Sequence, residues 1–431
     1  MGGKLAYLNI KQVFDGDSKD KLASLILFFF LLSENIDIIL HTLIPASLFG
    51  FDFATVFENL FLVFFIILYY IFLNKSRGKK TRVWPIYLFI IIFILGSVTF
   101  YPEYYSWFFH EEYGLNSKHF QLCGGIFALL YVSMVDHKTR LASLFIYSAR
   151  INLLFYIIQF LNAIRRGYWI SAFGTRISYS LTFGYRVAIV ASLFLVLYYL
   201  NRSKIDLISF LISLVMIILQ GSRGALGCII STFFLLAIFY FVKTRKQTIK
   251  KQLGKALVIS IFLVSFLGLF SVGASFSSNL SVNSLRFLRI DYSRSIQLLL
   301  EGRIDDGSGR ERIWDTAGEA IQNEVLLGYG FYGDRNIIGK KLIFGYPHNF
   351  ILEVFLQFGV PLGIVFVLFL FWNIIKMGRK CNDVTWWFLY IFLLSSCSKL
   401  LLSDSFWYYW PFWALIGVLC IWRQQDRYIE N

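Results

Sequence analysis

The chain has 431 residues, of which 57% are hydrophobic, 19% are aromatic and only 16% are charged. Soluble domains average roughly 45–50% apolar and about 25% charged residues, so this composition excludes a water-soluble globule. At about 20 apolar residues per crossing, the hydrophobic content is enough for on the order of twelve membrane-spanning helices. The composition therefore predicts an all-α, polytopic bundle of membrane helices.

The formal net charge of +15 comes from basic residues that stand in short clusters between apolar runs. Because they do not follow one face of the chain, a nucleic-acid-binding surface is excluded. The five cysteines lie in apolar segments or in a short basic loop, which indicates neither a disulfide framework nor a metal site. The segment GYGFYG fits G-x-G-x-x-G but lacks a βαβ context, so no nucleotide cofactor is predicted.

Polar loops separate the apolar runs. The loops NKSRGKKTR, DHKTR and KTRKQTIKKQLGK belong to one alternating set and are strongly basic, which places both chain termini in the cytoplasm by the positive-inside rule. The polar N-terminus is unlike a cleavable signal peptide, so we expect the first span to be retained. The twelve spans are expected near residues 22–44, 56–73, 84–101, 120–135, 141–161, 180–200, 205–220, 225–242, 256–273, 349–372, 385–402 and 406–422.

One long loop is large enough to form an extracytoplasmic layer. Helical spacing of apolar residues predicts an amphipathic helix over 285–299, and Ser308 with Glu311 has the S-x-x-E spacing that starts a second one. The predicted organisation is an N-terminal bundle of about nine spans at 1–273, the loop at 274–347, and about three C-terminal spans at 348–431.

Arg310 and Arg312 fall in the first turn of that second helix. The positive end of the helix dipole disfavours cations by some tenths of a kcal/mol, so local stability does not explain these residues. Backbone N–H groups and two guanidinium groups together make a strong diphosphate site. The alternative is a solvated loop face, with ion pairs to Asp305, Asp306 or Asp315.

Arg186 and Arg223 stand at or within the ends of apolar spans, where a central arginine costs roughly 2.5–3.5 kcal/mol. Such residues usually face a wet cavity, which here would hold an anionic ligand. For Arg223, in the tight turn QGSRGAL, the alternative is snorkelling to the lipid headgroups. Arg176 lies in an outward loop against the positive-inside bias and would add to the same basic cleft.

His348 lies in YPHNF, where Pro347 suits the first position of the tenth span. The start of a helix favours the neutral imidazole that a general base needs at pH 7. Glu353 would lie about 7–8 Å deeper along the same helix, so it could orient His348 only indirectly. The alternatives are a structural interfacial histidine and a helix-packing hydrogen bond from Glu353.

Three segments occur in a recognisable order: GSRGALGCIISTFFLL, SGRERIWDTAGEAIQNEVLLGYGFYG and PHNFILEVFLQFGVPLG. Together they resemble the O-antigen ligase and Wzy-type polysaccharide polymerase superfamily, from about Gln220 to Gly363 by motif and elsewhere by topology. Members of that superfamily are GT-C-like membrane glycosyltransferases. The resemblance implies a polyprenyl-diphosphate-linked glycan as donor, no nucleotide and no required metal, and an extracytoplasmic active site on the bacterial cytoplasmic membrane.

Individual residues of this chain match motif positions of that superfamily. Arg223 matches the arginine after the short outer turn, Arg310 matches the loop arginine ahead of Trp314, and His348 opens the histidine-to-glycine element that ends at Gly359. The resemblance thus implies that Arg223 and Arg310 hold the leaving diphosphate while His348 orients or deprotonates an acceptor sugar hydroxyl. The further residues expected to bind substrate are Arg186, Arg312, Arg176, Asn349, Glu353 and Trp314.

The function expected from these features is polymerisation of the repeat units of a capsule or O-antigen polysaccharide. The alternative with the same donor chemistry is a ligase that moves finished glycan to a lipid or wall acceptor. A lipid-linked oligosaccharide flippase is disfavoured because the arginines concentrate at the outer edge and no paired half-repeats are apparent. Besides the bilayer and the glycan donor, the expected partners are the flippase and the chain-length regulator of the same pathway.

Overall fold

The computed structural model describes residues 5, 9–43, 53–75, 83–110, 114–115, 120–170, 176–177, 180–220, 222–243, 310–342, 345–381 and 383–430. The chain divides into two compact units, one formed by Met1–Ser148 with Ser308–Asn431 and the other by Ala149–Gly307. The regular elements among the described residues are helices apart from one pairing of two short strands, so the all-α class is confirmed. The predicted division at 273 and 347 stays a prediction.

In chain order, the N-terminal helices are α1 Ile10–Val13, α2 Ser18–Leu43, α3 Phe53–Lys75, α4 Trp84–Phe100, α5 Tyr105–Phe108, α6 Ala128–Met134 and α7 Lys138–Arg166. The elements that follow are β1 Trp169–Ile170, β2 Arg176–Ile177, α8 Leu181–Asn201, α9 Lys204–Gln220 and α10 Arg223–Lys243. The remaining ones are α11 Arg310–Asn323, α12 Gly333–Lys341, α13 Phe350–Phe358, α14 Val360–Lys380, α15 Val384–Ser396 and α16 Trp410–Glu430.

About six of the described helices are long and apolar enough to cross a membrane. A seventh is obtained if α4 and the segment Pro102–Phe108, which meet at 101°, form one bent span. The predicted count of twelve is therefore not confirmed, and the regions 256–273 and 285–299 lie outside the described residues. The six are Ser18–Leu40, Thr55–Phe72, Lys138–Arg166, Leu181–Asn201, Val360–Lys380 and Val384–Leu401.

The span predicted over 349–372 is two helices that fold back on each other. The rings of Phe350 and Phe366 have centres 6.4 Å apart, whereas a continuous helix would separate those residues by about 24 Å. The reversal occurs at Gly359, whose φ of +73° and ψ of +166° suit only glycine. The single-span prediction is wrong because hydropathy alone does not reveal a chain reversal within an apolar run.

A second glycine, Gly328, lets the chain approach this reversal closely. A Cβ on Gly328 would lie 2.3 Å from the backbone nitrogen of Gly359. The neighbouring N–H groups of Tyr329 and Gly330 donate to the carbonyls of Leu356 and Gln357 at 2.7 and 3.0 Å. The glycines of GYGFYG thus serve backbone packing, and they dock the start of α12 onto the end of α13.

The amphipathic helix predicted in the second half of the long loop is present as α11. Its buried face carries Ile313, Ala317 and Ala320, which pack with Ile338 of α12 and Leu356 of α13. This spacing of four and three residues is the helical periodicity visible in the sequence. The three short helices form a small layer with its own apolar core.

Ion pairs mark one end of the first unit, which we call the basic end. Lys19 bonds Asp136 at 2.5 Å and Lys138 bonds Asp383 at 2.8 Å, just before α15 begins. The 13-residue α15 then runs about 20 Å to the opposite end. There the segment that follows it packs on α13, with the rings of Phe350 and Phe406 5.6 Å apart.

Candidate functional site

His348 lies on the turn between α12 and α13, at the end of the unit opposite the basic end. Its φ of +54° is left-handed, and its imidazole packs on the ring of Tyr346 with ring centres 4.2 Å apart. Burial and the nearby positive charge of Arg310 lower the pKa of His348 to about 4. The imidazole is therefore neutral at pH 7, as a hydrogen-bond acceptor or general base must be.

Asn349 caps the helix that follows. Its side-chain oxygen accepts from the backbone N–H groups of Ile351 and Leu352, and α13 begins at Phe350. The prediction that Pro347 occupies the first helical position is wrong, because the Asn349 side chain supplies the cap two residues later. Asn349, predicted to bind substrate, is thus engaged in holding the turn that carries His348.

Helix α11 brings two of the predicted residues to this turn. Arg310 is its first residue, and its charge acts on His348 as described above. Trp314, one turn further on, donates its indole N–H to the carbonyl oxygen of Pro347 at 3.2 Å. Arg312 is exposed on the same helix. The structure therefore brings together Arg310, Trp314, His348 and Asn349.

A further ion pair beside His348 was not predicted from the sequence. Lys399 Nζ lies 2.6 Å from a carboxylate oxygen of Asp404, and both side chains are largely buried. The charge of Asp404 raises the pKa of His348, whereas that of Lys399 lowers it. In the sequence, these residues stand in the short stretch KLLLSDS between two apolar runs, where their charges balance and indicate only a turn.

Beneath the His348 turn lies a buried charge cluster formed by Asp334, Arg335 and Glu353. The Arg335 guanidinium bonds the adjacent Asp334 carboxylate and lies 2.9 Å from Glu353 Oε1, and all three side chains are at most 1% exposed. Its second terminal nitrogen donates to Ser405 Oγ at 2.9 Å. The cluster thus joins α12, α13 and the segment before α16.

Hydrogen bonds extend this cluster on its Asp334 side. Gln357 Nε2 donates to Asp334 Oδ1 at 3.0 Å, and Trp407 Nε1 donates to Gln357 Oε1 at 2.8 Å. On the other side, Ser405 Oγ bonds Glu353 Oε1 at 2.5 Å. Among the described residues Arg335 Nε has no hydrogen-bond partner, whereas the bonds named above join the segments to one another. Buried hydrogen-bond networks of this kind rigidify the segments that they connect.

The protonation states of the cluster follow from burial and from its single cation. Burial raises the pKa of Glu353 to about 7 despite the opposing effect of Arg335, and it also raises the pKa of Asp334. Burial disfavours the charged guanidinium, but the neighbouring acidic groups keep the pKa of Arg335 well above its ordinary value. One guanidinium therefore balances one carboxylate, and the other carboxyl takes up a proton near pH 7.

Glu353 was predicted to bind substrate or to orient His348 at a distance. It lies at 0% exposure and its oxygens are used by Arg335, Ser405 and the backbone N–H of Phe406. This arrangement favours the packing interpretation of its role. Asp334 and Arg335 were missed because an adjacent acid and base after a glycine-rich turn carry no periodic signal.

The second unit holds the other predicted arginines, which it places at one of its ends. Arg186 lies in the second turn of α8 and Arg223 begins α10. Gly224, next to Arg223, lies close to Tyr185, next to Arg186: a Cβ on Gly224 would be 1.9 Å from the Tyr185 hydroxyl. Arg176 is on β2, which pairs with β1, and Trp169 of β1 packs on the α8 residue Phe183 at 4.5 Å. Arg176, Arg186 and Arg223 thus lie at a common end of this unit.

The side chains that commonly ligate metal ions are dispersed. Within the part of the chain that the structure describes, no three His, Cys, Asp or Glu side chains are grouped to hold a metal ion. The five cysteines are free thiols, and two of them, Cys228 and Cys381, are buried.

The apolar helices define an all-helical, multi-pass membrane protein. A family model described as O-antigen ligase matches residues 208–367, a range that contains Arg223, Arg310 and His348. The match confirms the resemblance to the O-antigen ligase and Wzy-type superfamily. That family implies glycosyl transfer in polysaccharide assembly and lipid-linked glycan substrates. No curated protein matches the chain.

Proposed function

We propose that the protein polymerises polyprenyl-diphosphate-linked oligosaccharide repeat units of a surface polysaccharide. The observation that carries the proposal is the neutral imidazole of His348 beside the cation of Arg310. An acceptor hydroxyl attacks the anomeric carbon of the donor, the bond from that carbon to the diphosphate oxygen breaks, and the hydroxyl proton passes to His348. Arg310 stabilises the negative charge that develops on the departing diphosphate.

The roles of Arg223, Arg186 and Arg176 in binding the diphosphate belong to the same proposal and rest on the resemblance. Arg312 and Trp314 complete the proposed substrate-binding set, with Arg312 exposed on α11. Preorganised cations aimed at a developing oxyanion act without reorganisation during the reaction, which suits a donor whose leaving group is a diphosphate.

The proposal places the His348 end outside the bacterial cytoplasmic membrane and the basic end in the cytoplasm. The clustering of Lys19, Lys138 and Arg140 at the basic end supports this orientation. A lipid-linked donor that reaches the outer leaflet would then meet His348 at the membrane surface. The flippase and the chain-length regulator of the same pathway are the partners that such an enzyme requires.

The second candidate is a ligase that transfers finished glycan to a lipid or wall acceptor. The observation that favours it is the description of the matched family model, O-antigen ligase. Both candidates use the same donor and the same leaving group, so the residues around His348 serve either one. The acceptor decides between them.

Deletion of the gene, followed by sizing of the glycans on the carrier and on the cell surface, tests the proposal. We expect single repeat units on the carrier and at the surface. Long polymer on the carrier that never reaches the surface would establish the ligase instead. Single units trapped on the inner leaflet would establish a flippase and overturn both candidates.

Complementation of the deletion with point variants tests the assigned residues. Arg310→Gln and His348→Ala should each lower polymer formation about 100-fold or more, which is the usual cost of removing one oxyanion-stabilising group or one general base. Arg379→Gln at the cytoplasmic end of α14 is the matched control and should restore full-length polymer. Normal polymer from Arg310→Gln or His348→Ala protein that inserts at wild-type levels would refute these roles.

A further inference from the structure

The Tyr346 ring contacts both the cation of the buried cluster, Arg335, and the imidazole of His348. The guanidinium carbon of Arg335 lies 5.5 Å from the centre of the Tyr346 ring, within the range of a cation–π interaction. The rings of Tyr346 and His348 are tilted by 47° with centres 4.2 Å apart. Arg335, Tyr346 and His348 therefore form a contiguous stack from the buried cluster to the surface turn.

Arg335 cannot itself meet a substrate, because it is 0% exposed. Its guanidinium is held by bonds to Asp334, Glu353 and Ser405, which come from three different segments. Two more rings, Tyr332 and Tyr408, lie 5.6 and 5.4 Å from the same guanidinium carbon. The position of Arg335 is thus fixed by its surroundings, and Tyr346 is placed against a fixed cation.

The turn that carries His348 has little regular structure of its own to hold it. Residues 345–349 form no helix or strand, and His348 adopts a left-handed conformation that a non-glycine residue seldom takes. Such a conformation persists only where surrounding contacts determine it. Contacts on this turn include the Trp314 bond to Pro347, the Asn349 cap, and the Tyr346 ring on Arg335.

We propose that Arg335 is a positioning residue that acts through Tyr346 to set the orientation of the His348 imidazole. The buried cluster is then the rigid base of the site, and its cation serves the reaction without touching the substrate. This inference deepens the proposed function and rests on it, since it concerns the geometry of the same histidine. The positioning itself is measurable without any transfer reaction.

Two variants test the positioning effect of Arg335 without creating an unpaired buried charge. Asp334→Asn, Arg335→Met and Glu353→Gln together form a cluster-neutral variant, which removes the cation and both acids at once, a change that buried ion clusters often tolerate. Tyr346→Leu breaks the stack at its middle and alters no charge. Tyr346→Phe is the matched control, because it keeps the ring on both neighbours.

The direct readout is NMR of histidine-labelled full-length protein in lipid nanodiscs. The chain has five histidines, so the His348 signal is assignable by its loss in His348→Asn. In wild-type protein and in Tyr346→Phe, the adjacent ring should shift the His348 ring signals, because stacked rings act on each other's protons. In the cluster-neutral variant we expect that ring shift to disappear, although residue 346 is still tyrosine.

The kinetic readout separates positioning from stability. A small misplacement of a reacting group can lower the reaction rate about 100-fold. We therefore expect kcat to fall at least about tenfold in the cluster-neutral variant and in Tyr346→Leu, with KM for the donor nearly unchanged. Adding Tyr346→Leu to the cluster-neutral variant should lower kcat no further, because residues acting through one contact are not additive.

A cluster-neutral variant that keeps the His348 ring shift and kcat while only its melting temperature drops would overturn the inference. Additive losses of kcat from the two changes would also overturn it, since Arg335 and Tyr346 would then act independently. If instead His348→Ala keeps full transfer activity, the proposed role of His348 as base fails, and the ring shift still decides whether Arg335 positions the imidazole.

Discussion

Trp314 donates its indole N–H to the carbonyl oxygen of Pro347, the residue immediately before His348, at 3.2 Å. This bond ties α11 to the turn that carries the imidazole. Because Arg310 begins the same helix, the bond also maintains the placement of the arginine relative to the histidine. A motif of aromatic and basic residues in the sequence thus becomes a single structural unit around His348.

Replacement of Trp314 by phenylalanine tests this link. Trp314→Phe keeps an aromatic ring but loses the hydrogen bond, so we expect a loss of about 0.5–1.5 kcal/mol of stability together with slower glycan transfer. Trp372→Phe, at a 66% exposed position on the apolar face of α14, is the control and should change neither property. Thermal unfolding and transfer rates measure both. Wild-type transfer by Trp314→Phe would show that the bond does not hold the site.

The charges around His348 predict the direction of its titration. The positive charge of Arg310 lowers the pKa of His348 and the carboxylate of Asp404 raises it, so Arg310→Gln should raise that pKa and Asp404→Asn should lower it further. NMR titration of histidine-labelled protein measures both, with Arg379→Gln as the control. A fall of the His348 pKa in Arg310→Gln would contradict the placement of Arg310 beside the imidazole.

A bound anion should raise the pKa of His348. The pKa of His348 is lowered to about 4 because burial and nearby cations disfavour the imidazolium. A diphosphate beside it favours the charged form, so saturating inorganic pyrophosphate should raise the pKa towards its ordinary value. The rise would bring the base closer to the pH at which it works. An unchanged pKa in pyrophosphate-saturated protein would place the anion elsewhere.

The glycine at the chain reversal predicts a large local effect on stability. A Cβ on Gly359 would lie 2.2 Å from the carbonyl oxygen of Leu326, and its backbone conformation suits glycine alone, so Gly359→Ala should cost about 1–3 kcal/mol or more. Gly318 in α11 has nothing within 4 Å of such a Cβ, and Gly318→Ala should stabilise by roughly 0.5–1 kcal/mol. Thermal unfolding compares the two. Equal effects would mean that the reversal is absent.

The proposed orientation predicts which residues can be labelled from outside the cell. In a cysteine-free background, Leu401→Cys near the His348 turn should react with a membrane-impermeant maleimide on intact spheroplasts. Ile10→Cys near the basic end of the first unit should react only after permeabilisation. Both positions are about half exposed, so accessibility within the protein does not bias the comparison. The reverse pattern would invert the orientation.

Several features of the site were predictable from local patterns. The S-x-x-E spacing of Ser308 and Glu311 predicted the helix that the structure shows as α11. The motif order led to the prediction that Arg310 and His348 act together, and that role stays a prediction. The neutral state of His348 was also expected, although from a helix dipole at Pro347. The structure gives a different cause, since burial and Arg310 lower the pKa of His348 and the helix begins later, at Phe350.

The sequence by itself determined that this is an all-helical membrane protein similar to the O-antigen ligase and Wzy-type superfamily, because composition, hydropathy and ordered motifs are local properties. Only the tertiary structure decided that the run after His348 reverses at Gly359 and that Arg335, Glu353 and Ser405 meet beneath the imidazole. These residues lie up to 70 positions apart in the chain. Burial of a charge is set by what packs around it, and neither spacing nor hydropathy encodes that packing.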